Sequence, residues 1–255
     1  PESVGMSSER LQRLSALMQD HIDNDLLAGT VTLIARKGKI VHYEAQGHRH
    51  REANDAMDKD DIFFIMSMTK PIVSTALMML YEEGHFLLDD PISNWLPEFA
   101  DKQVLVETAD GVERVPAARP ITVRHVLTHT AGVDPNREFL TEDERAALRR
   151  ENTLRDTYMK RGALPLNFHP GDQWQYGSAT DYVALLVERI SGQSIERFLS
   201  ERILKPLGMN DTHYNVPKEK TDRLAAVYRP TGEDNTIELY RAPEYRDPTR
   251  YFAGT

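Results

Sequence analysis

Residues 62–84 read IFFIMSMTKPIVSTALMMLYEEG, a short apolar run that passes into a helical pattern. The run ends at Ser67, and from Met68 onward apolar residues recur at the spacing of one helix face. Gly84 is the residue type that most often follows a helix C-terminus. This stretch therefore predicts a helix that begins near Met68, stops at Gly84 and carries a serine at its start.

The segment Ser67-Met68-Thr69-Lys70 places a hydroxyl and an amine three residues apart, on one side of the predicted helix start. A serine hydroxyl becomes a nucleophile only when a base takes its proton, and a lysine acts as a base only as the neutral amine. Apolar surroundings favour the neutral amine, and the neighbouring residues are apolar: Phe63, Phe64, Ile65, Met66 and Met68. We expect Ser67 to be a nucleophile, Lys70 its proton acceptor and the Ser67 N–H one arm of an oxyanion hole.

The spacing alone also fits a plain helix start with an exposed lysine, so a second feature is needed. Tyr176-Gly177-Ser178 follows the turn at Pro170-Gly171 and directly precedes a long helical pattern. A phenol at this place can relay a proton to a leaving group when a nearby ammonium makes it more acidic. The alternative is that Tyr176 is an ordinary core or rim residue.

The net charge, the lack of cysteine and the lack of a long apolar stretch exclude several classes of function. The chain has 31 Lys and Arg against 40 Asp and Glu, a net charge of −9, which argues against nucleic-acid or anionic-membrane partners. It has no cysteine, which excludes disulfides, Cys-ligated zinc and thiol chemistry. No apolar stretch approaches the length of a membrane span. We expect a cytoplasmic protein, with an exported precursor left open.

Other catalytic patterns fit less well. The sequence has no Gly-x-Ser-x-Gly elbow, His-Glu-x-x-His, Walker loop or Gly-x-Gly-x-x-Gly. His125 and His129 are four residues apart, but without a third ligand at metal spacing we expect structural roles for both. Asp89-Asp90 is expected to cap or to hydrogen-bond a loop. The charge-rich residues 134–162 are expected to form a solvated helix or a lid-like excursion.

The remaining elements follow from periodicity and turn residues. We expect a helix capped by Ser7, two hairpins, a short helix capped by Thr122 and two long helices, with little regular structure in residues 211–255. The predicted hairpin strands and long helices are Val31–Ala35 with Ile40–Tyr43, Val104–Thr108 with Val112–Val115, Ala179–Ile190, and Ile195–Leu204.

Several segments, in this order, resemble the serine β-lactamase and penicillin-binding-protein superfamily. The chain is most similar to its esterase branch, the family VIII carboxylesterases related to class C β-lactamases. The segments that carry the resemblance are SMTKP (67–71), LDDP (88–91), LPEF (96–99), ITVRHVLTHTAG (121–132), PG (170–171), YGS (176–178) and ILKPLGM (203–209).

The resemblance implies a two-lobed α+β fold of the β-lactamase/transpeptidase type, with an antiparallel sheet flanked by helices and a mostly helical lobe. Residues 1–255 would form the N-terminal portion of one catalytic domain: the start of the sheet lobe (1–62), the nucleophile helix and helical lobe (63–215), and a return towards the sheet (216–255). It implies an acyl-enzyme on Ser67, with Lys70 as base, Tyr176 assisting proton transfer and no cofactor. Met68, Gly177 and Ser178 are expected to contact the substrate.

Two departures from the family pattern matter. Ser178 stands where β-lactamases and peptidases usually carry an Asn that binds the substrate amide, which favours small esters. No Lys-Thr-Gly, His-Thr-Gly or Trp-Gly-Gly motif follows Tyr176, so we expect a C-terminal polypeptide of the same fold to complete the site.

These features favour a carboxylesterase acting on short-chain or aryl esters. Two alternatives stay open: a β-lactamase or D-alanyl-D-alanine carboxypeptidase that uses the same residues, and a non-catalytic binding protein that kept the fold.

Overall fold

A computed structural model describes residues 1–149, 153–232 and 236–245. The chain divides into two compact units. One comprises Pro1–Phe64 with Val216–Tyr245, and the other comprises Ile65–Asn215. None of the helices in the described ranges is long and apolar enough to cross a lipid bilayer.

The elements are numbered in chain order. The α-helices in the described residues are α1 (Ser8–Asp23), α2 (Thr69–Glu82), α3 (Val123–Leu127), α4 (Glu142–Ala147), α5 (Leu154–Arg161), α6 (Ala179–Ser191) and α7 (Ile195–Leu199). The strands are β1 (Gly29–Arg36), β2 (Lys39–His50), β3 (Asp55–Ala56), β4 (Gln103–Thr108), β5 (Gly111–Pro116), β6 (Val227–Pro230) and β7 (Ile237–Arg241).

The first unit contains helix α1 and an antiparallel sheet in the order β1-β2-β3. The predicted cap is confirmed, because the Ser7 hydroxyl accepts the N–H of Arg10. The first predicted hairpin is also confirmed. Its two turn residues, Lys37 and Gly38, both have positive φ (50° and 72°), as a turn matched to the twist of the strands requires.

Strands β6 and β7 form a separate antiparallel pair in the same unit. The expectation of little regular structure after residue 211 was therefore wrong for this part of the chain. Short strands such as β6, with only four residues, carry too little alternation to be recognised from the sequence. Residues 246–255, which belong to the same expectation, lie outside the described residues.

The second unit is built around α2 and α6, which pack against each other in one apolar core. Every residue from Ala179 to Val187 is buried, so α6 is enclosed on all sides over its first half. The predicted stop of α2 is confirmed: Gly84 (φ 82°) follows the helix, and the N–H of His85 donates to the carbonyl of Leu80.

Other predictions in this unit hold with small changes. The second hairpin is β4–β5, and Thr122 caps α3. Helix α7 continues into a π-helical segment, Ser200–Leu204, so the helix predicted over 195–204 changes its hydrogen-bond pattern midway.

The sequence led us to expect that the charge-rich segment 134–162 is a solvated helix or a lid-like excursion. The structure shows that part of this segment is buried. Helix α5 buries Tyr158, whose ring packs edge-on against Tyr182 of α6 with centroids 5.0 Å apart. The Tyr158 hydroxyl also donates to the carboxylate of Asp181. The segment thus anchors α6 in addition to presenting charge to solvent; residues 150–152 lie outside the described residues.

Candidate active site

Ser67 lies in a single 3₁₀ turn, Met66–Met68, that leads directly into α2. Within the described residues, Ser67 is exposed. Met66, the residue before it, has a φ of 46°, a left-handed conformation that is strained for a residue with a long side chain. Such strain persists only where the surrounding structure holds it, and it concentrates at functional sites.

Lys70 lies in the first turn of α2, three residues after Ser67. Its Nζ donates to the Ser67 Oγ over 3.3 Å, so the predicted pairing of hydroxyl and amine is present. Pro71 follows in the same turn, where a missing N–H leaves no helix hydrogen bond unmade.

Tyr176 reaches the same hydroxyl from a segment 109 residues further along the chain. Its phenol donates to the Ser67 Oγ over 2.5 Å, and the Nζ of Lys70 lies 5.1 Å from the centre of its ring. The hydrogen bond with Ser67, followed by the interaction with Lys70, lowers the pKa of the Tyr176 phenol below its usual value. A hydroxyl, an amine and an acidified phenol therefore meet at one oxygen atom.

The apolar neighbours do not enclose this site as the sequence suggested. Met66 and Met68 expose 52% and 71% of their surface, and Phe63 and Ile65 are also exposed. Lys70 is half-buried, and the aromatic side chain next to it is that of Tyr176. Within the described residues, the expectation that residues 63–68 surround Lys70 with buried apolar side chains is therefore not met.

His129 adds a side chain that sequence reasoning did not place at the site. Its ring lies against that of Tyr176, with centroids 4.9 Å apart. Burial, and then the charge of Lys70, lower the pKa of His129. His129 has a φ of 57° and lies beyond the end of α3, so it does not share a helix face with His125.

The expected structural role of His125 is confirmed. Its Nδ1 accepts the N–H of Thr122 and completes the cap of α3. Across the described ranges, no three His, Cys, Asp or Glu side chains are grouped as a metal ion requires. The expected loop role of the acidic pair is also confirmed, since Asp90 accepts the N–H of Leu87 and Asp89 pairs with Arg124.

Asp134 is a further residue that the sequence did not reveal. Its carboxylate accepts two hydrogen bonds from Ser178, one from the N–H (2.8 Å) and one from the hydroxyl (2.7 Å). The proton of the Ser178 hydroxyl is thus directed to Asp134 and not to an incoming substrate. Gly177 lies directly against the same carboxylate. The sequence offered only an aspartate two residues after the HTAG turn, with nothing to link it to a segment 44 residues away.

This arrangement suits covalent catalysis. An exposed serine at a strained turn, with two groups able to take and return its hydroxyl proton, can attack a carbonyl carbon and hold an acyl group. The fold and the site together define the class: a chain of the β-lactamase type in which a serine, a lysine and a tyrosine meet at one oxygen atom.

Comparison with known proteins identifies the family. The family model described as Beta-lactamase matches residues 14–253, and the chain belongs to this family. The fold class and the resemblance inferred from the sequence are thereby confirmed.

The chain is 35% identical over 226 residues to Esterase EstB of Burkholderia gladioli, covering 85% of this chain and 54% of that protein. It is 33% identical over 239 residues to Protein Rv1367c of Mycobacterium tuberculosis, covering 92% of this chain and 60% of the relative. Among solved structures, EstCE1, "a hydrolase with promiscuous acyltransferase activity", superposes with a TM-score of 0.75 at 28% identity, covering 91% of this chain and 59% of that one. The chain thus spans less than two thirds of the length of these relatives.

Proposed function

We propose that the protein containing this chain is a carboxylesterase that hydrolyses short-chain or aryl esters through an acyl-enzyme on Ser67. The observation that carries the proposal is the convergence on one oxygen: Lys70 Nζ at 3.3 Å and Tyr176 OH at 2.5 Å from Ser67 Oγ.

Acylation begins when Lys70, as the neutral amine, accepts the proton of the Ser67 hydroxyl. The Ser67 oxygen attacks the ester carbonyl carbon, and the tetrahedral intermediate expels the alcohol oxygen. Tyr176 donates its proton to that oxygen and is reprotonated from the Lys70 ammonium. The products of this half-reaction are a free alcohol and an ester of Ser67.

Deacylation repeats the steps with water in place of Ser67. The neutral amine of Lys70 takes a proton from water, and the resulting hydroxide attacks the acyl carbon. Tyr176 gives its proton to the departing Ser67 oxygen and regains one from the Lys70 ammonium. A carboxylic acid is released and the starting protonation is restored. No cofactor takes part in any of these steps.

Two observations support an ester over a lactam or a peptide. The Ser178 hydroxyl donates to Asp134, so it does not replace the amide donor that a lactam or peptide substrate would need. Relatives at 30% identity or above include proteins named Esterase EstB and Lovastatin esterase.

The test is hydrolysis of p-nitrophenyl butyrate by the whole protein that carries residues 1–255. Ser67→Ala should lose activity by at least about a thousandfold, since no other group replaces the nucleophile. Ser74→Ala, on the same helix, is the matched control and should keep it. Wild-type turnover by Ser67→Ala would end the proposal.

The two alternatives give different results with other reagents. A β-lactamase or peptidase would turn over nitrocefin or retain a penicilloyl group on Ser67. A non-catalytic protein would gain no mass from a fluorophosphonate probe, whereas the proposed esterase gains one adduct that Ser67→Ala lacks.

A further inference from the structure

We propose that Asp134 is a positioning residue that fixes Tyr176 against Ser67 by holding the backbone of Gly177 and Ser178. The inference rests on the proposed function, in which Tyr176 transfers a proton.

The first support is a two-point contact at Ser178. One carboxylate oxygen of Asp134 accepts the Ser178 N–H over 2.8 Å, and the other accepts the Ser178 hydroxyl over 2.7 Å. Hydrogen bonds to an ionised acceptor are about twice as strong as neutral ones, and a pair fixes direction as well as distance. The contact lies two residues from the phenol.

The second support is the close approach of Gly177. A Cβ built on Gly177 would lie 2.0 Å from the Asp134 Oδ2 and 2.8 Å from its Cγ, but 3.6 Å from its Cβ. Any larger residue at position 177 would collide with the Asp134 carboxylate, and the atoms nearest to the added Cβ all belong to Asp134. Since Gly177 does not have a positive φ, the site requires glycine for space and not for backbone conformation.

The third support lies on the other side of Tyr176. The N–H of Gln175 donates to the carbonyl of His129 over 2.9 Å, and the Gln175 side chain donates to the Asp134 carbonyl over 3.2 Å. The residues on both sides of Tyr176 are therefore bound to the 129–134 turn. The phenol can leave Ser67 only by a side-chain rotation or by breaking these contacts.

The contact between Asp134 and Ser178 lies at the start of helix α6, which limits the movement of the Tyr176 segment. Ser178 occupies the N-cap position of α6 but makes no side-chain cap bond to its own helix, because its hydroxyl is committed to Asp134. The carboxylate places a negative charge at that helix end, which the helix dipole favours. The Tyr176 segment is thus tied to a helix whose first half is buried.

The first experiment compares Asp134→Ala with Asp134→Asn. Asp134→Ala removes both acceptors and should lower kcat for ethyl butyrate about thirtyfold with little change in KM, because a small misplacement of a catalytic group is costly. Asp134→Asn keeps the shape and can bond to Ser178 at both points, so it should recover most of that loss. Asp143→Ala, an exposed position on α4, is the control and should behave as wild type.

The second experiment uses the collision at Gly177. Gly177→Ala should lower kcat at least about tenfold. The double variant Asp134→Ala/Gly177→Ala should be no less active than Asp134→Ala alone, because the added Cβ then meets only a Cβ at an ordinary distance. Losses that multiply in the double variant would show that the two residues act independently, which would overturn the inference.

The outcomes separate the two proposals. If Ser67→Ala or Tyr176→Phe keeps wild-type activity, the proposed function itself has failed. If both are impaired while Asp134→Ala keeps the wild-type kcat, only the positioning role is overturned. Equal losses in Asp134→Ala for p-nitrophenyl and ethyl butyrate would also overturn it, since a misplaced phenol impairs most strongly the substrates that need a proton at the leaving group.

Discussion

The imidazole of His129 lies against the phenol ring of Tyr176, with centroids 4.9 Å apart and planes inclined by 34°. The same ring has the Nζ of Lys70 at 5.1 Å from its centre. His129 holds this place with a φ of 57°, a left-handed conformation in which histidine, asparagine and aspartate are more often found than other side chains. The phenol is therefore held by contacts to its ring as well as by the anchoring of its backbone.

We predict that His129→Asn lowers kcat about fivefold. Asparagine accepts the left-handed backbone, so the change removes the ring and leaves the turn in place. Stacked aromatic pairs contribute about 1 kcal/mol, which corresponds to a rate effect of that size if the contact is needed in the transition state. Steady-state kinetics with ethyl butyrate measures the fall in kcat, and His85→Asn, at an exposed position, is the control. An unchanged kcat would show that the stack does not position the phenol.

Tyr176→Phe should lower kcat more for alkyl esters than for aryl esters. In the proposed mechanism the phenol protonates the departing alcohol, and an alkyl alkoxide needs that proton far more than p-nitrophenolate does. We expect kcat to fall at least about a hundredfold for ethyl butyrate and about tenfold for p-nitrophenyl butyrate. Equal losses on both esters would contradict a role in leaving-group protonation.

The same variant tests the pH dependence. The contacts with Ser67 and Lys70 lower the pKa of the phenol, so its proton is lost at a lower pH than in an ordinary tyrosine, which titrates near pH 10. Because the protonated phenol is the active form for alkyl esters, wild-type activity should decline with rising pH through that lowered pKa. Tyr176→Phe should lack this alkaline decline; an identical decline in both proteins would assign it to another group.

Local features of the site were predictable from the sequence because helix geometry fixes them. Ser67 and Lys70 are three residues apart at a helix start, and no tertiary information is needed to bring them together. The hairpin turn at Lys37-Gly38 and the stop at Gly84 follow in the same way from residue type. Tyr176 is different, since 109 residues separate it from Ser67. Its position before a long helix made it a candidate, but an ordinary core or rim tyrosine remained the alternative until the family resemblance was considered.

The contacts that the sequence did not predict depend on how distant segments pack. Asp134 meets Ser178 across 44 residues, in a segment whose composition pointed to a solvated excursion. The left-handed backbone at Met66 was not predictable either, because no residue pattern signals that conformation in a methionine.

Lys70→Arg should be nearly inactive, with a loss of at least about a hundredfold. Arginine retains the positive charge and the hydrogen-bonding capacity, but its guanidinium does not give up a proton near neutral pH and cannot act as a base. Hydrolysis of p-nitrophenyl butyrate measures the effect, and Lys205→Arg, at an exposed position of the same unit, is the matched control. Wild-type turnover by Lys70→Arg would rule out Lys70 as the proton acceptor.

A second lysine of the same unit is buried outside the candidate site. Lys102 exposes only 8% of its surface, and its Nζ donates to the carbonyls of Gly162 and Leu164 and lies 5.6 Å from the centre of the Phe99 ring. Within the described part of the chain, no carboxylate pairs with it. Burial lowers the pKa of Lys102 to about 8.

The lowered pKa of Lys102 determines how the free energy of unfolding changes with pH. Below pH 8 the amine is charged in both the folded and the unfolded chain. Between about pH 8 and 10.5 the folded protein has lost this proton while the unfolded chain still binds it, so the free energy of unfolding rises with pH. The gain from this group over that range is about 3 kcal/mol, and the neutral amine keeps enough N–H groups for both carbonyls.

Lys102→Met should therefore destabilise the protein more at pH 10 than at pH 7. At pH 7 the variant leaves two carbonyls without their donor but also removes a buried charge, and the two effects partly offset each other. At pH 10 only the first effect remains. Urea unfolding of wild type, Lys102→Met and the exposed control Lys205→Met at both pH values measures the difference. A gap between wild type and Lys102→Met that shrinks as the pH rises would contradict the depressed pKa of the buried amine.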